Sequence, residues 1–270
     1  MNEVVLECKN LTKAFNTHSN GSGIRNFFVR KKKMFALKNI SFSVRKGEIF
    51  GIVGPNGSGK STLVRIIVNL LIPDSGYCMV KGMDVQKNEI EVRRLMNRVS
   101  VEASFFKKLS VMENLLYIGR LYNMKSDETR KRVEEIMKKL VFPVTYLEES
   151  VENLSRGMQQ KVAVARAFMT QPELLLLDEP TTGLDPVSKR HVQEFIVYVR
   201  KRFETTILLC SHDMAEVEKI CDRVAIIMKG EFVKVDTPER LKILVRGVEN
   251  TTMEDVFIQL TGREWEQEVN

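Results

Sequence analysis

The stretch Gly54-Pro55-Asn56-Gly57-Ser58-Gly59-Lys60-Ser61-Thr62 follows directly on the apolar run Ile49-Phe50-Gly51-Ile52-Val53. The run is short, uncharged and closed by glycine, the pattern of a buried strand. The glycines let the backbone curl so that its N–H groups point inward at an anion. Ser61–Leu71 reads as a helix, whose positive N-terminal end also faces the loop. The spacing G-x-x-x-x-G-K-[ST] between a strand and a helix predicts a phosphate-binding loop. Lys60 is placed to reach terminal phosphates, and the Ser61 hydroxyl to ligate Mg²⁺.

A carboxylate pair complements the loop. Leu174-Leu175-Leu176-Leu177-Asp178-Glu179-Pro180 puts two acids at the end of an apolar strand, about 120 residues downstream. Ligands of open α/β sheets sit at the carboxyl ends of strands. There Asp178 would hold Mg²⁺ through water, and Glu179 would face an attacking water as general base or polariser.

The rest of the chain supplies the frame. Residues 3–15 and 35–50 alternate apolar and polar positions, as strands do. Val111–Tyr122 has helical spacing, and Ser126 is placed to cap a helix that opens with Asp127 and Glu128. Val133, Ile136, Met137 and Leu140 continue that helix to Pro143. His191–Phe203 reads as an amphipathic helix, with Thr206–Cys210 and Arg223–Met228 as further strands. Thr237-Pro238 starts another helix with a cap and a proline at its first position. Strand–helix alternation on both sides of a helical stretch predicts a parallel-rich α/β sheet carrying an inserted helical subdomain.

Composition narrows the setting. The 270 residues suffice for one large domain or two small ones, and no apolar run approaches the length of a membrane span. The N-terminus lacks a signal-peptide pattern, and the four cysteines form no CxxC pair. A soluble protein of a reducing cytosol is expected. The net charge of +7 is local: residues 8–47 hold ten cations and no acid, leaving the rest of the chain at −3. A nucleic-acid binder usually spreads such charge over its reading face, and one local cluster fits anionic lipid or an acidic partner equally well.

Further motifs carry a family resemblance. Leu154-Ser155-Arg156-Gly157-Met158-Gln159-Gln160 resembles the LSGGQ signature of ATP-binding cassette (ABC) ATPases, with Arg156 and Met158 as departures. Gly183-Leu184-Asp185 resembles the D-loop, and Ser211-His212-Asp213 the switch histidine. The order of phosphate loop, helical insert, signature, acid pair, D-loop and histidine is that of the family. The resemblance implies ATP and Mg²⁺ as cofactors, with Phe15 stacking on adenine. It also implies that Ser155, Gly157 and Asp185 face the nucleotide of a second subunit, and that Glu179 and His212 are catalytic. In the place of the usual Q-loop glutamine stands Glu102, as a metal ligand, as part of the coupling to a permease, or as an exposed bystander.

The same resemblance implies a RecA-like P-loop NTPase core with an antiparallel β subdomain and an inserted α-helical subdomain. Residues 1–236 would form the ATP-binding domain, its core about 1–101 and 170–236 and its helical subdomain about 102–169. Residues 237–270 would form a C-terminal helical extension. The basic segment 23–33 and the tail Met253–Arg263 resemble ATP-binding subunits of type-2 ABC exporters of drugs, lipids and polysaccharides. The expected protein is a peripheral ATPase at the cytoplasmic face of the cell membrane. It would work as a homodimer on a separate permease, with an anionic membrane surface as a further partner and no nucleic acid. A cassette acting on nucleic acid or ribosomes usually resembles two linked cassettes or carries a long coiled coil, and neither pattern is present. A GTPase would carry an NKxD motif, which is absent.

Overall fold

The computed structural model describes residues 3–17, 32–100, 105–244 and 251–262. Residues 23–31 of the basic segment, Glu102 and Arg263 lie outside them. Strands β1 (Val4–Thr17) and β2 (Lys32–Arg45) pair antiparallel. Gly47, at φ 67, then turns the chain into β3 (Ile49–Val53). Residues 35–50, expected as one strand, are therefore divided by this turn. The Glu48 carboxylate fixes it, accepting from Arg45 N at 2.7 Å and pairing with Arg223 at 3.1 Å.

Helix α1 (Lys60–Ile67) follows the loop and ends four residues before the expected Leu71. Asn69, at φ 55, leaves the helical region there. Strands β4 (Ser75–Val80) and β5 (Met83–Asp84), helix α2 (Glu89–Leu95) and strand β6 (Met96–Val99) come next. The helical stretch holds α3 (Val111–Leu121), α4 (Ser126–Lys139), short 3-10 turns at Val144–Tyr146 and Val151–Asn153, and α5 (Arg156–Phe168). Ser126 does not cap α4: it is the first helical residue, and Lys125 occupies the cap without a side-chain bond.

Strand β7 (Leu174–Asp178) leads to α6 (Pro186–Phe203), and β8 (Thr206–Ser211) to α7 (Met214–Ile220). Helix α6 begins five residues before the expected His191. Asp185 caps it by accepting from Val187 N and Ser188 N, each at 3.0 Å, and Pro186 supplies its first turn. Strands β9 (Arg223–Met228) and β10 (Glu231–Asp236) and helices α8 (Pro238–Ile243) and α9 (Met253–Thr261) complete the described chain.

Two sheets organise these elements. A four-stranded antiparallel sheet runs β2-β1-β4-β5, and a six-stranded sheet runs β10-β9-β3-β8-β7-β6. Within the second, β9, β3, β8, β7 and β6 are mutually parallel, and β10 is an antiparallel edge. The period-two geometry of strands explains their continuous apolar runs. Phe50, Ile52, Leu174, Leu176, Leu208 and Cys210 pack into a core shared with α1 and the antiparallel sheet. Ile49, Val53, Leu175, Leu177, Ile207 and Leu209 face the opposite core, shared with α3 to α7 and α9. Phe42 stacks on Phe50 with ring centroids 5.3 Å apart, joining the sheets. Cys8 and Cys78 face each other across β1 and β4 as free thiols, their Sγ atoms 3.1 Å apart. Among the described residues no helix is long and apolar enough to cross a membrane.

Because β3, β7 and β8 are parallel neighbours, their carboxyl ends share one edge. That edge brings the Gly54–Thr62 loop, the Asp178-Glu179 pair and His212 together.

Candidate functional site

The loop is built around close approaches. A Cβ on Gly54 would lie 2.2 Å from the Ile227 carbonyl oxygen. Gly59 sits at φ 116, and a Cβ there would meet the Ala36 carbonyl at 2.5 Å. Only glycine tolerates both the contacts and the second conformation. Asn56 and Gly57 are exposed at the tip, whereas Ser58, Gly59 and Lys60 are buried. Pro55 accepts from Ser58 N at 3.2 Å, closing the turn.

Lys60 opens α1 and folds back over the loop. Its Nζ donates to the Gly54 carbonyl at 2.6 Å and the Pro55 carbonyl at 3.1 Å, and lies 3.4 Å from Glu179 Oε1. That last contact is an ion pair without hydrogen-bond geometry, so Glu179 Oε1 is left buried with no hydrogen bond. Ser58 Oγ is likewise buried and unpartnered. An unpaired hydroxyl inside an N–H-rich concavity is what an anion's oxygen would satisfy. The loop therefore fits a polyphosphate.

Ser61 and Thr62 follow Lys60 on α1. Ser61 Oγ donates to Asp178 Oδ1 at 3.3 Å, across from the end of β7. Burial raises the Asp178 pKa, and the adjacent Glu179 charge adds to the effect, while Arg98, Ser61 and Lys60 oppose it. A partly desolvated carboxylate beside a hydroxyl is an oxygen donor set suited to a hard divalent cation. Among the described residues no group of three or more His, Cys, Asp or Glu side chains gathers into an all-protein cage. A cation here would complete its shell with phosphate and water oxygens, as Mg²⁺ does.

Glu179 is one residue beyond β7 and adopts φ 56. Its N–H donates to the Cys210 carbonyl at 2.9 Å, which ties it to β8. Its Oε2 accepts from Thr182 Oγ1 at 2.7 Å and stands 2.5 Å from His212 Nδ1. Burial alone would raise the Glu179 pKa; the bonds from His212 and Thr182 and the Lys60 charge together hold it below the usual carboxylate value. The His212 pKa is raised, first by its bond to Glu179, with burial working against it. An ionised carboxylate hydrogen-bonded to an imidazole can take a proton and keep it oriented.

The signature-like residues form a second cluster. Ser155 caps α5, its Oγ accepting from Met158 N at 3.3 Å. A Cβ on Gly157 would approach Ser188 Oγ at 2.8 Å and Asp185 Oδ2 at 3.4 Å, so α5 begins against the start of α6. The Arg156 guanidinium covers Gly183, where a Cβ would lie 2.7 Å from its Cζ. Among the described residues, these bonds and close approaches run within the cluster and to α6, not to Gly54–Thr62. Phe15 stands near the end of β1, 39% exposed, with Lys13 Nζ 5.8 Å from its ring centroid.

Sequence reasoning missed Thr182, Thr181 and Glu216. Thr182 holds Glu179 directly. Glu216 accepts from Thr181 and Ser211 in the interior behind the site. Asp213-x-x-Glu216 carries the spacing of a capping box, a surface motif that gives no hint of this inward role.

Residues 37–182 match the family model described as ABC transporter. The chain is 40% identical over 213 residues to the ABC transporter ATP-binding protein NatA of Bacillus subtilis (strain 168), covering 77% of this chain and 85% of that protein. It is 36% identical over 229 residues to the linearmycin resistance ATP-binding protein LnrL of the same organism, covering 85% and 71%. A relative named for methionine import matches as well. A bacterial ABC transporter cassette, MJ0796, solved as a dimer, superposes with TM-score 0.75 at 25% identity, covering 86% of this chain and 98% of that one.

Proposed function

The chain belongs to the ABC transporter family as an ATP-binding, ATP-hydrolysing subunit, and on that premise we propose how its residues divide the work. Residues 54–62 enclose the triphosphate, and Phe15 stacks on the adenine. Lys60 leaves its loop carbonyls for the β- and γ-phosphate oxygens. Ser61 and Asp178 hold Mg²⁺, which when bound neutralises charge on those oxygens. Glu179 orients the attacking water and takes its proton, while His212 steadies the carboxylate and faces the γ-phosphate. Ser155, Gly157 and Asp185 act across a homodimer interface on the partner's nucleotide. The 2.5 Å contact between Glu179 and His212, beside Lys60, carries this assignment.

Glu179→Gln tests it. The variant is expected to bind ATP, to lose hydrolysis by at least about 100-fold as expected for loss of a general base, and to persist as an ATP-bound dimer in gel filtration. Hydrolysis at the wild-type rate would remove Glu179 from the site.

We further propose that this ATPase domain spans residues 1–236 with its helical subdomain at about 102–169, that 237–270 are an accessory extension, and that it drives export through a separate permease from the cytoplasmic membrane face. Exposed Phe106, Tyr117 and Leu121 on and beside α3 support an apolar contact with a membrane partner. Export is favoured by the exporter-like tail Met253–Arg263. Transport assays in inverted vesicles with the co-expressed permease distinguish export from import by the side on which substrate accumulates.

A further inference from the structure

Glu216 is a buried carboxylate that touches neither Glu179 nor the phosphate loop. It stands in the first turn of α7 and is 1% exposed. Its Oε1 accepts from Thr181 Oγ1 at 2.8 Å and from Gln193 Nε2 at 3.3 Å. Its Oε2 accepts from Ser211 Oγ at 2.8 Å. The three partners belong to three separate pieces of chain. Thr181 lies two residues after Glu179. Ser211 ends β8, immediately before His212. Gln193 lies on α6. Ser211 Oγ also accepts from Asp213 N at 3.0 Å, and Asp213 Oδ1 from Glu216 N at 2.9 Å.

A buried carboxylate is costly, and a well-packed apolar residue of similar size is often no worse for stability. Folding alone therefore gives little reason for an acid here. Its bonds have a geometric consequence: the segments presenting Glu179 and His212 are tied from behind to one side chain. A short charge-assisted contact tolerates little displacement between its partners.

We propose that Glu216 is a positioning residue for hydrolysis, holding Thr181 and Ser211 so that Glu179 and His212 stay in register. This inference rests on the assignment of Glu179 and His212 made above. Glu216→Ala frees both segments. Glu216→Gln preserves volume, keeps an oxygen for Thr181 and Gln193, and can donate to Ser211 Oγ. Ser211→Ala cuts the tie to Glu216, and with it the bond from Asp213 N, with minimal change of volume.

The experiment measures kcat and KM for ATP, the Kd of a fluorescent nucleotide, and Tm for these three variants beside Glu179→Gln. Glu216→Ala is expected to lower kcat by about 10- to 100-fold, the scale of small misplacements, with KM and Kd changed less than about threefold. Glu216→Gln should recover most of kcat. Ser211→Ala should lower kcat by a smaller factor, and adding it to Glu216→Ala should cost less than it does alone, because the tie to Glu216 is already gone and only the bond from Asp213 N remains to be lost. A merely structural role would lower Tm and leave kcat per folded molecule unchanged. If Glu216→Ala fails to fold, Ser211→Ala decides the matter: a lowered kcat at unchanged KM supports the inference, and wild-type kcat overturns it. Wild-type kcat in folded Glu216→Ala and Ser211→Ala, with Glu179→Gln inactive, overturns this inference alone. Wild-type hydrolysis by Glu179→Gln overturns the site assignment and the inference with it.

Discussion

Ser58 has its hydroxyl buried in the loop with no partner. Leaving such a group unmade costs about 1–3 kcal/mol in a folded protein. Ser58→Ala removes the burden, so the nucleotide-free protein should gain about 1 kcal/mol or stay level, while nucleotide affinity falls several-fold. Thermal melts with and without ATP check this: the upward shift caused by ATP should shrink, and a lower Tm without ATP would contradict it. Residues of this kind were legible because their neighbours in sequence are their neighbours in function. Lys60 and Ser61 stand inside one short motif, and Asp178-Glu179 is contiguous. Glu216 was not legible, because its partners Thr181 and Gln193 lie 35 and 23 residues away. Nothing local in the sequence of α7 says that one of its acids points inward.

At the scale of elements, α7 is held at both ends. Its first residues continue the His212 segment, and its Glu218 accepts from Lys242 Nζ at 2.6 Å and from Met253 N, the first residue of α9, at 3.2 Å. Met253, Val256 and Phe257 of α9 are buried in the same core as Met214 and Val217 of α7. Phe257→Ala should cost about 3 kcal/mol. The loss is expected to appear first as faster amide exchange in α7 and α9, with β3 and β7 unchanged; uniform loss across the sheet would refute a local clamp. The central strands were readable as apolar runs because both sheet faces are covered. The starts of α4 and α6 were misjudged for a different reason. A polar residue can cap or begin a helix, and the choice depends on backbone angles that composition does not record. Asp185, which the family resemblance places at a partner's nucleotide, also caps α6 within its own chain.

At the scale of the molecule, the site residues fall into two clusters, with no hydrogen bond recorded among the described residues between Gly54–Thr62 and Ser155–Gly157. One holds Gly54–Thr62, Asp178, Glu179 and His212; the other holds Ser155, Gly157 and the start of α6. The proposed dimer joins one cluster to its counterpart on a second copy. Ser155→Arg should therefore leave nucleotide binding by the monomer intact, while hydrolysis and ATP-dependent dimerisation fall together. The lost cap should cost about 1 kcal/mol. Sedimentation with and without ATP, beside a nucleotide titration, checks it; unchanged hydrolysis would show that the second cluster serves its own chain alone. The family order of motifs made both clusters visible in the sequence, but not that α5 begins against the start of α6, which depends on the close approach of Gly157 to Ser188 and Asp185.

The folded-back Lys60 makes nucleotide entry an exchange rather than a simple addition. Its ammonium already has two carbonyl oxygens and the Glu179 carboxylate around it. An incoming phosphate must compete with these internal acceptors, so the measured affinity is the difference between two sets of contacts. Competition of this kind penalises ligands with few charges: a diphosphate outbids the internal carboxylate less decisively than a triphosphate does. Neutralising Glu179 removes the rival anion. The tight nucleotide retention expected of Glu179→Gln would then have a second source besides stalled chemistry, and it would be present even with ADP, where there is nothing left to hydrolyse.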